Sequence, residues 1–228
     1  MSTKYVSLIK TLRVERGLSQ SAVAEKLGLS RQSYMAVERG SRELTLPEAK
    51  KLQELYGVSL DELASANIPN YEKYKQMILA VLQAMATHRD GRTPKTKLAK
   101  LVYLADFAWY YNKLESMSGM QYLRRAYGPV PDPYFRALGE LEEEGKIKID
   151  HAGDMLLVGL GKGAAQKKLG YIETEEKALI KKIVEKWRGA LTKEIVDFTH
   201  EQLPYKLCAP DEVIPYELIT QEDPEHVY

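Results

Sequence analysis

Residues 18–40 read LSQSAVAEKLGLSRQSYMAVERG, and this stretch constrains the fold more tightly than any other. Ser19 suits an N-cap, because its hydroxyl can take up amide donors that a first helical turn leaves unpaired. Val23, Ala24 and Leu27 then form one apolar stripe. Gly28 stops that helix, since glycine enters a left-handed C-cap without a Cβ penalty. Leu29 belongs in the interior of the turn, and Ser30 caps a second helix on which Tyr34 and Val37 face inward. At about 100° per residue, Gln32, Met35, Ala36 and Arg39 point roughly opposite, with Arg31 and Ser33 on the flanks. Two short helices joined by a tight turn are expected, the second with a polar outward face. A small helical bundle without a nucleic-acid role is the alternative reading.

The flanking sequence extends the pattern. Tyr5 to Arg16 reads as an earlier helix with Val6, Ile9, Leu12 and Val14 apolar. Thr45 followed by Glu48 is a capping-box start for a helix Leu46 to Tyr56, and Leu60 to Ala64 adds a short last helix. With GLSQ, LGLSRQSY and VERG in register, residues 5–65 resemble the repressor-type helix-turn-helix domain of phage repressors and bacterial controllers. That resemblance implies sequence-specific DNA binding, transcriptional repression and a homodimer on a near-palindromic operator. It implies that Gln20 braces a phosphate and a base-reading side chain, and that Arg31 and Gln32 are the main base readers. Arginine fits guanine and glutamine fits adenine; Met35 and Ala36 would meet thymine methyls. Arg39 and Arg42 would contact phosphates, and Ser30 and Ser33 complete the candidate DNA-binding set.

Charge alone does not reveal this activity. The 228 residues carry 33 Lys and Arg against 32 Asp and Glu, and residues 1–66 hold ten basic against eight acidic side chains, a net of +2. One copy would bind modestly and lean on dimerisation, since each neutralised phosphate adds to affinity. The single Cys208 excludes an internal disulfide framework and a multi-cysteine zinc site. His88, His151, His200 and His226 are scattered, so no metal and no cofactor is expected. Without a membrane-length apolar run or a signal-peptide pattern, a cytoplasmic protein with no membrane partner is expected.

A boundary falls near Ala66-Asn67-Ile68-Pro69-Asn70, where Pro69 forbids a continuous helix and Asn70 can cap the next. The division expected is residues 1–66, a linker 67–70, a second domain 71–206 and an acidic tail 207–228. Tyr71 to Met85 is amphipathic and should end around Asp90-Gly91. Thr93-Pro94 suggests a cap with proline opening a helix that has Leu98, Leu101, Val102, Ala105, Ala108 and Trp109 on one face. Gln121 to Tyr127 is strand-like, Pro133 to Glu144 helical, and 146–150 with 155–160 should form a hairpin. Helices over 175–188 and 193–203 follow. The fold class is therefore mainly α, a five-helix helix-turn-helix domain followed by an α+β domain of helices with a small antiparallel sheet.

The second domain carries its own marks. KTKLAKLVYLADFAWYYN, followed by MQYLRRAYGPVPDPYFRALGELEEEGKI, resembles the Panacea domain of SocA-type proteins over roughly residues 71–205. The resemblance implies an antitoxin that binds and neutralises a co-encoded toxin protein. Tyr122, Arg124, Arg125 and Tyr127, with the Gly128-Pro129 turn, are candidate toxin contacts, because tyrosine and arginine anchor interfaces. Tyr103, Asp106 and Tyr110 are either further contacts or a buried hydrogen-bonded cluster.

No catalytic set stands out, and an enzyme is not expected. Gly159, Gly161 and Gly163 around Lys162 lack the spacing of a phosphate loop, Cys208 has only His200 nearby in sequence, and Glu142 to Glu144 read as a solvated helix end. Residues 207–228 hold six acidic and no basic side chains, which predicts a loose tail, either solubilising or lying in a basic toxin cleft. Two rivals to the antitoxin reading are a ligand-responsive transcription regulator, which requires a ligand-sized apolar pocket, and a protease adaptor.

Overall fold

A computed structural model describes residues 9–14, 16–57, 69–86, 90–165 and 167–228. The chain divides into two compact units, residues 1–68 and 69–228. In the first, residues 9–14 are helical (α1), followed by α2 (Gln20–Leu27), α3 (Arg31–Glu38) and α4 (Leu46–Tyr56). The Ser19 hydroxyl accepts from the Ala22 amide and Ser30 Oγ from the Ser33 amide, each at 3.1 Å. Thr45 and Glu48 close the capping box that opens α4. Ile9, Leu12, Val23, Leu27, Val37 and Leu52 pack the core, and Tyr34 and Tyr56 meet inside it, hydroxyl to hydroxyl, at 3.2 Å. The expected helix Leu60 to Ala64 and the start of the Tyr5 to Arg16 helix lie outside the described residues.

The second unit is built round one helix. Here α5 (Tyr71–Met85) is followed by β1 (Thr93–Pro94) and α6 (Lys95–Lys113). Of the 19 residues of α6, 13 are buried, from Lys97 to Tyr110. A helix apolar on all sides belongs in the interior, and LVYLADFA has no polar face to turn outward. The single apolar face expected for it is therefore too narrow, and Trp109, placed on that face, is only half-buried. Thr93 and Pro94 do not open the helix; they pair as a short strand with Val158 and Leu157, and Pro94 sits at the cap position.

Beyond α6 come β2 (Tyr122–Leu123), α7 (Tyr134–Glu143), β3 (Ile147–Ala152) and β4 (Met155–Leu160). The hairpin β3–β4 pairs Ile147 with Leu160 through Ala152 with Met155, giving a sheet of order β1-β4-β3. The expected strand over Gln121–Tyr127 shrinks to two residues. Next follow α8 (Thr174–Trp187), α9 (Thr192–Glu201) and α10 (Leu203–Leu207), then β5 (Val213–Ile214) and a 3₁₀ turn at Tyr216–Gln221.

The acidic segment is not loose, contrary to the expectation from its composition. Val213 and Ile214 pair antiparallel with Leu123 and Tyr122, and Ile214, Tyr216, Ile219 and Val227 are buried. Its acids serve local structure: Glu222 accepts from the Leu203 amide at 2.6 Å and Glu212 from the Ala209 amide at 2.5 Å. Gln202 Nε2 donates to the carbonyls of His226 and Val227, fastening the chain end. The apolar residues recurring between the acids outweigh the charge signal.

Candidate functional site

Helix α3 is fixed from behind. Arg13 Nε donates to Glu38 Oε1 at 2.5 Å, Arg13 Nη1 to the Leu18 carbonyl at 3.0 Å, and Gln20 Nε2 to Glu38 Oε2 at 2.8 Å. Burial pushes the Glu38 carboxyl up, but the hydrogen bonds from Arg13 and Gln20 outweigh it and hold the group below its ordinary range. The network ties the end of α3 to α1 and to the first residue of α2. Sequence reasoning missed Arg13 and Glu38, although a glutamate set between Val37 and Arg39 on the inward side was the available signal.

The opposite side of α3 is open. Arg31, Gln32 and Arg39 are exposed, and Ser33, Met35 and Ala36 are partly so. Several residues of the expected DNA-binding set are engaged within the protein, Arg39 among them through Nε to the Met35 carbonyl at 3.2 Å. The Gln20 amide is held by Glu38, as above. Arg42 forms a two-pronged ion pair with Glu48, Nη1 to Oε2 at 3.1 Å and Nη2 to Oε1 at 2.8 Å. Ser30 Oγ is likewise occupied by the cap and by the Ser33 hydroxyl at 2.9 Å.

In the second unit the candidate contacts separate into core and surface. Asp106, Tyr103 and Tyr122 have no exposed area, so they are not available to a partner in this fold. The Asp106 carboxylate accepts from the amides of Met117 at 2.7 Å and Ser118 at 3.0 Å, from the Ser118 hydroxyl, and from Tyr122 Oη at 3.2 Å. Burial raises its pKa, and the hydrogen bonds from Ser118, Tyr216 and Met117 oppose the rise. Buried carboxylates persist when their lone pairs are satisfied in this way. Tyr110 is almost covered and donates to Glu217 Oε1 at 3.2 Å.

At the surface, Tyr127 is 79% exposed. Arg125 bridges Asp132 at 2.7 Å and Asp211 at 2.5 Å, and the Arg124 guanidinium lies 4.7 Å over the Tyr205 ring. Gly128 and Pro129 are buried beneath Tyr127, and the Pro129 carbonyl accepts from Lys100 Nζ at 2.6 Å. Under this turn lies a cavity of about 640 Å³. The glycines round Lys162 close the hairpin: the Gly161 amide donates to the Lys146 carbonyl at 2.8 Å, and a Cβ there would sit 2.0 Å from the Gly145 oxygen. Cys208 Sγ faces the Val213 carbonyl, while the His200 ring stacks on Tyr205. No described helix is long and apolar enough to cross a membrane.

Comparison with known proteins finds a match in each unit. A helix-turn-helix family model covers residues 9–63, and the model described as antitoxin SocA-like, Panacea domain, covers residues 98–205. The transcriptional repressor RstR of cryptic phage CTXphi from Vibrio cholerae is 40% identical over 75 residues, 32% of this chain and 68% of that protein. An uncharacterized HTH-type transcriptional regulator of Methanocaldococcus jannaschii is 34% identical over 55 residues, 24% of this chain and 83% of its own length. No solved structure matches the chain. With α2 and α3 capped at Ser19 and Ser30 inside that first match, and the α6 core inside the second, the chain belongs to the helix-turn-helix family of DNA-binding regulators and carries a SocA-like Panacea antitoxin domain.

Proposed function

We propose that this protein is the antitoxin of a toxin–antitoxin pair, neutralising a co-encoded toxin through its second unit and repressing its own operon through its first. One observation carries the reading: a single chain joins a helix with Arg31, Gln32 and Arg39 exposed to a SocA-like Panacea domain. Bound to the operator as a homodimer, Arg31 reads guanine and Gln32 adenine from the start of α3. Met35 and Ala36 meet thymine methyls, Ser33 flanks them, and Arg39 takes a phosphate. Gln20 and Arg42, each tied to a glutamate, act by holding α3 and the following turn in place.

The toxin face is the surface part of the earlier candidates: Tyr127 with Arg124 and Arg125, on the Gly128-Pro129 turn. Phe135 and Met155, 59% and 55% exposed, extend its apolar area. Exposed aromatic side chains beside arginines are the groups that most often anchor an interface. Toxin and DNA binding then share one chain, so each can alter the affinity of the other.

The test is co-expression of the tagged full chain with the open reading frame adjacent to its gene. A stable complex on gel filtration that Tyr127→Ala weakens supports the reading. Loss of the neighbour's product only when this chain is present indicates a protease adaptor instead.

A further inference from the structure

The cavity beneath the Tyr127 turn contains a feature that toxin binding does not use. Its walls are largely apolar, with Ala99, Val130, Tyr134, Phe135 and Leu156 among them, and its volume of about 640 Å³ suits a small organic ligand. Lys100 also lines it, although only 2% of that residue is exposed. An ammonium has three donors, and the structure assigns one of them to the Pro129 carbonyl. Among the described residues no carboxylate pairs with it, and burial alone lowers its pKa to about 7. A buried amine without a counter-charge is costly to keep protonated.

Only a glycine at 128 lets this side chain lie where it does. A Cβ on Gly128 would lie 2.8 Å from Lys100 Cε, 3.1 Å from Nζ and 3.2 Å from His200 Nε2. His200 Nε2 is itself buried with no hydrogen-bond partner. The rim carries Lys95 and Arg125, but also Asp132 and Asp154. Arg125 is already committed to Asp132 and Asp211. The mouth thus carries two cations and two acids, and the uncompensated positive charge is at the floor, on Lys100.

We propose that this cavity binds a small organic monoacid, an apolar body carrying one carboxylate, with Lys100 Nζ taking the carboxylate at its floor. The apolar walls hold the body, and a single carboxylate supplies the counter-charge that the one unpaired buried amine lacks. A ligand-responsive regulator would need such a site, but the proposal does not rest on toxin binding and survives its failure.

The test is calorimetric titration of the full chain at pH 6.5 with hexanoate and 4-phenylbutyrate, each beside its neutral amide. At least one acid should bind about tenfold or more tighter than its amide, as expected when a charged hydrogen bond replaces a neutral one. Lys100→Met, which keeps the apolar stem, should abolish that preference. Should the variant not fold, Ala99→Leu, which fills the cavity and leaves the amine, should weaken both acids. The proposal is overturned if neither acid binds better than its amide, or if Lys100→Met retains the preference.

Discussion

Asp106 and Tyr216 stand 110 positions apart, and the Tyr216 hydroxyl reaches Asp106 Oδ2 at 3.0 Å in the core of the second unit. The same hydroxyl lies 2.8 Å from the Met120 carbonyl, so it joins α6, the loop after it and the C-terminal segment at one point. Phe107 stacks against the Tyr216 ring with centroids 4.5 Å apart. The chain end is thus part of the core that holds the Tyr127 turn, through β5 against β2.

Substitution at this point should be costly. Asp106→Ala leaves the hydroxyls of Ser118 and Tyr122 and two amides without their acceptor, and should destabilise by about 3 kcal/mol or more. Tyr216→Phe removes one hydroxyl and should cost about 1 kcal/mol. Urea unfolding followed by tryptophan fluorescence from Trp109 and Trp187 measures both. A chain ending at Cys208 should lose cooperative unfolding; an unchanged transition would contradict the tail's place in the core.

Lys100 gives a pH signature. Its folded pKa of about 7 lies below the ordinary 10.5, so the unfolded chain holds one more proton between those values. Stability should therefore rise from pH 7 to 9 by about 2 kcal/mol, and Lys100→Met should flatten that rise. His200, the titratable neighbour across Gly128, has a pKa lowered by burial and by Lys100, so it is neutral throughout this window. Burial raises the Cys208 thiol, so the unfolded chain loses that proton first and this group takes a little off the rise towards pH 9. Urea midpoints at three pH values suffice.

In the first unit, Glu38→Ala should strand Arg13 and cost about 2 kcal/mol. The Glu38 carboxyl is held below its unfolded value, so its stabilisation is present above that value and lost as pH falls through the folded one. Acid titration followed by circular dichroism should therefore show Glu38→Gln unfolding at a higher pH than the natural chain if the carboxylate supports α3.

DNA binding separates base readers from phosphate contacts. Arg31→Ala and Gln32→Ala should each weaken binding to the operon's promoter by about 1–3 kcal/mol while leaving non-specific binding almost unchanged. Arg39→Ala should weaken both and reduce the salt slope by about one. Fluorescence anisotropy at two salt concentrations distinguishes these outcomes.

Local signals were legible in the residues, and distant ones were not. Ser19, Ser30 and the Thr45–Glu48 pair act within three residues of themselves, so their spacing declares them. The partners of Asp106 come from residues 11 to 110 positions away, and no local pattern announces them. Arg42 reads as a free cation until the α4 capping glutamate is seen to fold back onto it. Ile214, Tyr216, Ile219 and Val227 stand among the acids of the last segment at no regular helical or strand period, so composition alone reads as charge while the burial depends on distant partners.

Growth of cells carrying the gene pair is the measurement for neutralisation itself. The adjacent open reading frame is induced alone, with the full chain, and with the full chain carrying Arg31→Ala and Gln32→Ala. Growth should stop in the first case and be restored in both others, because neutralisation resides in the second unit. A harmless neighbour, or a toxic one that this protein leaves active, would contradict it.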